Sequence, residues 1–246
     1  METGRCLLMT MLLAGVSTVA VAQVAPRYEQ GFLSDAGALV PRTVAGRTDF
    51  VYAVPDIKQR LGKYPAGLFI DTPEVHVSAQ SDYKGGKPED FAAVSQLLKD
   101  ALTARLTEGG YKLVAAPGPG VIVFRTALTD LQMKKNKRNV LAYTPAGAVV
   151  KVGADALRNM MQKVDITDMV LQAELLDGGT GEVLTALVIP DQNPGKRIEF
   201  EDVRALIDEY GARARCRLDN ARVDAARQID CFDAKARAAR TALPAM

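Results

Sequence analysis

"KPEDFAAVSQLLKDALTARLTEGGYKLVAAPGPGVIVFRTALTDLQM", residues 87–133, carries the pattern that decides the fold. Pro88 suits a first helical turn, and Glu89 and Asp90 complement the positive end of the helix dipole. Phe91, Val94, Leu98, Ala101 and Leu102 recur at helical spacing as one apolar stripe, and Gly109 and Gly110 stop the helix. Tyr111–Val114 then begins a strand, PGPG makes a turn, and VIVFRTALTDLQM is a long β-prone run. A helix with a single apolar stripe beside such runs predicts a sheet with that helix on one face.

Upstream, AGLFIDTPEVHVSAQ (66–80) reads as a strand interrupted at Pro73. Downstream, DMVLQAELLDGGTGEVLTALVIP (168–190) reads as a β-hairpin, because two β-prone runs flank a Gly-rich turn at Asp177–Gly181. The expected fold is α+β: a mostly antiparallel sheet of about five strands with a packed helix, followed by a carboxy-terminal helical segment. Residues 23–60 contain short apolar pieces, GFLSDAGALV and FVYAV, without a sustained period, and read as a wrapping arm. Residues 142–164 are rich in Ala, Gly and Met and read as a loop feeding a short helix near Asp155–Lys163, with Met160 and Met161 as packing residues.

From Phe200 through Val203, Ile207, Tyr210, Ala214, Leu218, Ala221 and Ala225 to Phe232 the apolar residues keep helical spacing. Two structures fit. In one straight helix, Cys216 and Cys231 would stand roughly 22 Å apart at about 1.5 Å per residue, whereas a disulfide needs Cα atoms about 4.4–6.8 Å apart. An intramolecular bond therefore requires a break, best placed in LDNARV around Asp219–Asn220. Alternatively the helix continues, and the thiols are free or pair between chains.

The first twenty-two residues show a secretory pattern: Arg5, an apolar stretch Leu7–Val19, and small residues Ala20 and Ala22 flanking Val21. Cleavage is expected between Ala22 and Gln23. The stretch is shorter than the ~20 residues a spanning helix needs, so no transmembrane anchor is expected in the mature chain. A lipidated protein would carry cysteine where Gln23 stands, and Cys6 would be lost with the signal, so the chain as written is expected to be periplasmic or secreted and not lipidated. The mature chain would keep Cys216 and Cys231, and an isolated pair in an oxidising compartment is usually bonded.

Hydrophobic residues make up 48% of the chain and charged residues 24%, ordinary values for a globular protein. The net charge of +2 argues against a nucleic-acid binder that works by broad electrostatics. His76 is the single histidine, without a partner at metal spacing, and reads as a strand residue with a local hydrogen bond. SDYK (81–84) has the spacing by which a lysine activates a serine nucleophile, but the companion S-D-N and K-T-G elements are missing and KGGKP breaks the helix that such a serine would open. KKNKRN (134–139) reads as a solvated loop at a strand end, with anionic lipid or phosphate as the alternative. Arg213, Arg215, Arg217 and Arg222, among Asp219 and Asp224, read as a solvated helical face, with an acidic partner as the alternative. No catalytic, cofactor-binding or metal residues are assigned.

Taken in order, GFLSD, SDYKG, PEDF, GGYKLVAAPGPGVIVFRTALTDL and AELLDGGTGEVL resemble the bacterial DUF3313 family from about Gly31 to about Leu218. The resemblance implies an envelope lipoprotein-like protein with an α/β sheet domain, and no activity. Gln23 departs from that pattern, and the tail after Leu218 extends beyond it. The expected organisation is a signal peptide (1–22), an arm (23–60), the α+β domain (61–218) and a helical extension (219–246). Three functions stay open: a non-catalytic module that binds an unknown envelope protein or cell-wall component, an envelope hydrolase or transferase using Ser81 and Lys84, and a small-ligand or lipid carrier with a pocket between sheet and helix. The sequence leaves the oligomeric state open.

Overall fold

A computed structural model describes residues 31–35, 38–44, 46–83, 87–135, 164–190, 198 and 200–240. The signal-like segment, Lys84, most of KKNKRN, and the loop with Met160 and Met161 lie outside the described residues. The elements are β1 (Val40–Val44), β2 (Arg47–Ala53), α1 (Ile57–Leu61), β3 (Gly67–Ile70), β4 (Glu74–Val77), α2 (Pro88–Glu108), β5 (Val121–Lys135), β6 (Val164–Asp177), β7 (Val183–Ile189), α3 (Phe200–Ala221), a short 3-10 turn (Ala225–Arg227) and α4 (Ala234–Ala239). Among the described residues no helix is long and apolar enough to cross a membrane.

The fold is α+β with one open, mostly antiparallel sheet, which among the described residues has seven strands rather than about five. Its order is β1-β2-β7-β6-β5-β3, with β4 also on β5. The difference from expectation has two sources. Pro73 divides the upstream strand, so that β3 and β4 lie parallel to successive parts of the long β5; proline is tolerated in the connection between them, where no ladder bond needs its missing amide hydrogen. The other source is the arm. Residues 40–53 form a hairpin, and β2 pairs antiparallel with β7, so this part of the chain extends the sheet. Its alternation is short and mixed with Arg, Thr and Asp, which hid it from a search for apolar period.

Tyr111–Val114 does not pair with β5. Leu113 bridges Leu68 of β3, which itself pairs with Ile122 of β5, so β3 lies between them. Gly67 makes this possible: its φ is +129°, and a Cβ there would meet the Lys112 carbonyl oxygen at 2.5 Å. The hairpin β6–β7 is as the sequence predicts, its turn tied by Asp177 Oδ1, which accepts the Gly179 and Thr180 amides at 2.8 Å each.

Both long helices cover one face of the sheet. Leu98, Leu102 and Leu106 of α2 join Leu68, Ile122 and Phe124 of the strands and Val203, Ile207 and Tyr210 of α3 in the main core. The helices approach closely at Gly211, where a Cβ would meet the Ala101 carbonyl oxygen at 3.1 Å. The other face has a smaller core, in which Phe32 and Leu33 of GFLSD lie with Ala127, Val170, Ala186 and Val188. The carboxy-terminal segment is no continuous helix. α3 ends at Ala221, beside the expected break, and the chain turns back so that Cys216 and Cys231 bond with Cα atoms 5.7 Å apart.

Candidate functional site

The returning tail forms a strap over one end of the helix layer, and Asn220 at the end of α3 organises it. Its side chain donates to the Ile229 carbonyl at 2.8 Å and accepts the Ile229 amide at 3.1 Å and Arg240 at 2.8 Å. Arg237 reaches the Cys231 carbonyl at 2.6 Å and the Glu209 carboxylate, which Arg213 shares. Phe232 of the strap lies near three guanidinium groups, with Arg213, Arg47 and Arg217 at 4.8, 5.2 and 5.8 Å from the ring centre. Lys58 of α1 pairs with Asp224 at the strap's start.

Under this strap the sheet and α3 do not close. A cavity of about 220 Å³ lies between α3, the strap and the β1-β2-β7-β6-β5 part of the sheet, with Ile57 of α1 and Leu98 and Leu102 of α2 on its inner border. Strand alternation explains its lining: Asp49, Val51 and Ala53 of β2, Leu171 and Leu175 of β6, and Leu187 of β7 all meet it. The walls are mainly apolar, and the polar atoms are few. Asp49 is 2% exposed and pairs through Oδ2 with Arg217 of α3. Burial holds the Arg217 guanidinium below its ordinary pKa, against the opposing pull of Asp49. The pair leaves Asp49 Oδ1 and Arg217 Nε without a hydrogen-bond partner, and Thr126 Oγ1 on the same lining is also unpartnered.

Arg42 stands opposite Asp49 in the strand register, and its exposed side chain lies at the cavity's edge. The arginines of α3 therefore do not form a solvated face. Arg213 is 8% exposed, Arg217 is turned in to Asp49, and Arg215 stands beside Asp219. Arg215 and Arg222 stand at the end of α2, the first against Gly109 and the second over the Tyr111 ring. Buried Tyr111 donates to Asp219 at 2.8 Å, and burial with that neighbouring carboxylate raises its pKa.

The other sequence candidates lie elsewhere. Ser81 is 6% exposed, accepts the Met133 amide at 2.9 Å and donates toward the carbonyls of Tyr83 and Met133, so its oxygen splices a loop to the end of β5. His76 contacts Glu74 at 2.8 Å on the exposed edge strand. Among the described residues no group of three His, Cys, Asp or Glu is placed to hold a metal. On the opposite face, buried Glu174 accepts the Ser34 amide and hydroxyl at 3.0 Å each and pairs with Arg125, whose guanidinium lies 4.8 Å from the Phe32 ring centre. Three of the sequence motifs, GFLSD, VIVFRTALTDL and AELLDGG, meet in that clasp, and both carboxylate oxygens of Glu174 are engaged.

Asp49, Thr126 and Arg217 were not singled out as a group by the sequence. A signal exists for two of them. Asp49 alternates with Val51 and Ala53 and so falls on their face, while Arg213 and Arg217 share the helical stripe of Tyr210, Ala214 and Leu218. A charge in an apolar stripe points to a buried partner.

No curated protein matches the chain. Two solved PelC dodecamer structures from Paraburkholderia phytofirmans are similar. One is 13% identical with a TM-score of 0.32, covering 66% of this chain and 92% of that chain. The other is 8% identical with a TM-score of 0.28, covering 58% and 83%. Likenesses at these scores carry no argument about assembly or ligand. The model of the family described as "Protein of unknown function (DUF3313)" matches residues 28–214, most of the chain, and this chain belongs to the DUF3313 family.

Proposed function

We propose that this chain is an exported envelope protein that acts without catalysis as a binding module, and that it holds a small ligand in the cavity under the strap. Of the three readings the sequence leaves open, this is the small-ligand carrier. The observation that supports it is the cavity of about 220 Å³, whose mainly apolar lining includes the buried Asp49–Arg217 pair and Thr126; Asp49 Oδ1, Arg217 Nε and Thr126 Oγ1, just behind that lining, have no hydrogen-bond partner. Buried polar atoms in native interiors are normally paired, and ligand sites are apolar concavities with a few fixed polar groups. Export is supported by the sequence pattern ending at Gln23 and by the Cys216–Cys231 disulfide, a bond that persists in oxidising compartments.

Mass spectrometry of protein isolated from its native host, first under native and then under denaturing conditions, tests both parts. The expected results are a non-covalent small-molecule adduct that is lost on denaturation, and an intact mass beginning at Gln23. A protein that carries no adduct and binds neither octanol nor octanoate when titrated would overturn the carrier reading. A mass that retains Met1 would overturn export.

A further inference from the structure

The chemistry of the cavity narrows its occupant, on the reading that the cavity is a ligand site. Size comes first: an engineered apolar cavity of about 150 Å³ accepts benzene, so the 220 Å³ here has room for a group of about nine heavy atoms. A whole long-chain lipid is too large, and a short acyl chain fits.

Charge comes second. Arg42 and Arg217 line the cavity, and Arg47 and Arg213 stand against Phe232 at its wall. Two of the three nearby carboxylates are paired with cations. Asp49 holds Arg217 and Glu209 is divided between Arg213 and Arg237, while Asp230 accepts the Phe232 amide at 2.8 Å and keeps its charge. Four guanidinium groups, of Arg42, Arg47, Arg213 and Arg217, thus stand against three carboxylates, of Asp49, Asp230 and Glu209, and guanidinium is the side chain suited to carboxylate and phosphate. Apolar walls behind such an edge fit a molecule with an uncharged tail inside and a negative head outside.

We infer that the ligand is an anionic amphiphile: a short acyl chain of about eight to ten carbons along Leu171, Leu175 and Leu187, with a carboxylate or phosphate head at Arg42.

Calorimetric titration of the purified protein at low salt with octanoate, octyl phosphate, octanol and octylamine tests this class. The anionic probes should bind at least tenfold more tightly than octanol, and the tighter of the two names the head. Arg42→Gln should bring both down to the octanol level and leave octanol unchanged. Octanol binding as tightly as octanoate, or octylamine binding best, would overturn the anionic class while the cavity site stands. Binding of none of the four would overturn the cavity site itself. Ala214→Leu, which fills the cavity from α3, should abolish all binding; Val51→Phe does the same from the sheet side should the helix variant fail to fold. Undiminished octanoate binding in a folded cavity-filled variant would place the ligand elsewhere and overturn the proposal.

Discussion

Beneath α2 and the β3–β5 part of the sheet, Leu68, Leu106 and Ile122 are 0% exposed and pack into one continuous core. Beneath α3 and the β1–β2–β7 part, up to Leu98 and Leu102 of α2, the same helix-on-sheet layer borders a cavity of about 220 Å³ and keeps a buried ion pair with unpartnered atoms. One half is closed by complementary side chains; the other is closed by a strap, a disulfide and cations around Phe232. The difference separates scaffold from site: a core filled by leucines resists change, whereas a roofed cavity leaves room for a ligand and needs a covalent tie to keep its roof.

The largest effect that would break this comparison lies in the packed half. Leu106→Ala should lower unfolding free energy by about 4 kcal/mol, because a fully buried leucine leaves both its transfer energy and a new cavity behind; urea denaturation measures it, and a loss below about 1 kcal/mol would mean that this half is as loose as the other. Next is the strap. Replacing both Cys216 and Cys231 by Ser should cost about 3 kcal/mol for a loop of this size, and in the other half it should speed amide exchange at residues 228–232 while leaving α2 protected.

Ala214→Leu sharpens the contrast with the opposite sign. In the cavity-bearing half added methylenes should be neutral or stabilise by up to about 1 kcal/mol, as cavity-filling changes do, whereas the same addition at Ala93 of the packed half should destabilise. The smallest effect is at the hairpin end. Tyr64 donates to Asp177 at 2.8 Å; burial and that bond push the Tyr64 pKa up to about 12, and the same bond, with the turn amides, holds the Asp177 carboxyl below its ordinary 3.8. A depressed carboxyl stabilises fully above 3.8 and loses that contribution as the pH falls through its lower folded value. Tyr64→Phe should therefore cost about 1 kcal/mol at neutral pH, and the gap to the parent protein should shrink in acid denaturation below pH 3.8; a constant gap would remove Asp177 from the account.

The two halves also differ in how readily the sequence discloses them. Phe91, Val94, Leu98 and Leu102 repeat at helical spacing, so α2 and its place on the sheet follow from period alone. The hairpin around Asp177–Gly181 is equally plain, because local turn chemistry sets it. β1 and β2 are not plain, since five residues of VPRTV and seven of RTDFVYA offer little alternation and owe their place to pairing with β7, far along the chain. The break after α3 is legible only through the geometric demand of Cys216 and Cys231. The cavity is the least legible feature: it depends on volumes left between residues 49, 126, 171, 187 and 217, and no pattern along the chain reports a gap.

The central claim, that an accessible apolar cavity lies under the strap and reaches only as far as Leu98 and Leu102 of α2, while the β3 end of the layer is filled, is tested most directly by a crystal structure determined under xenon pressure. Apolar cavities of about 150 Å³ take up xenon. The account predicts a xenon site bounded by Leu171, Leu187 and Leu218, and none between α2 and β3. Xenon absent from the strap half, or bound beneath α2 instead, would contradict it.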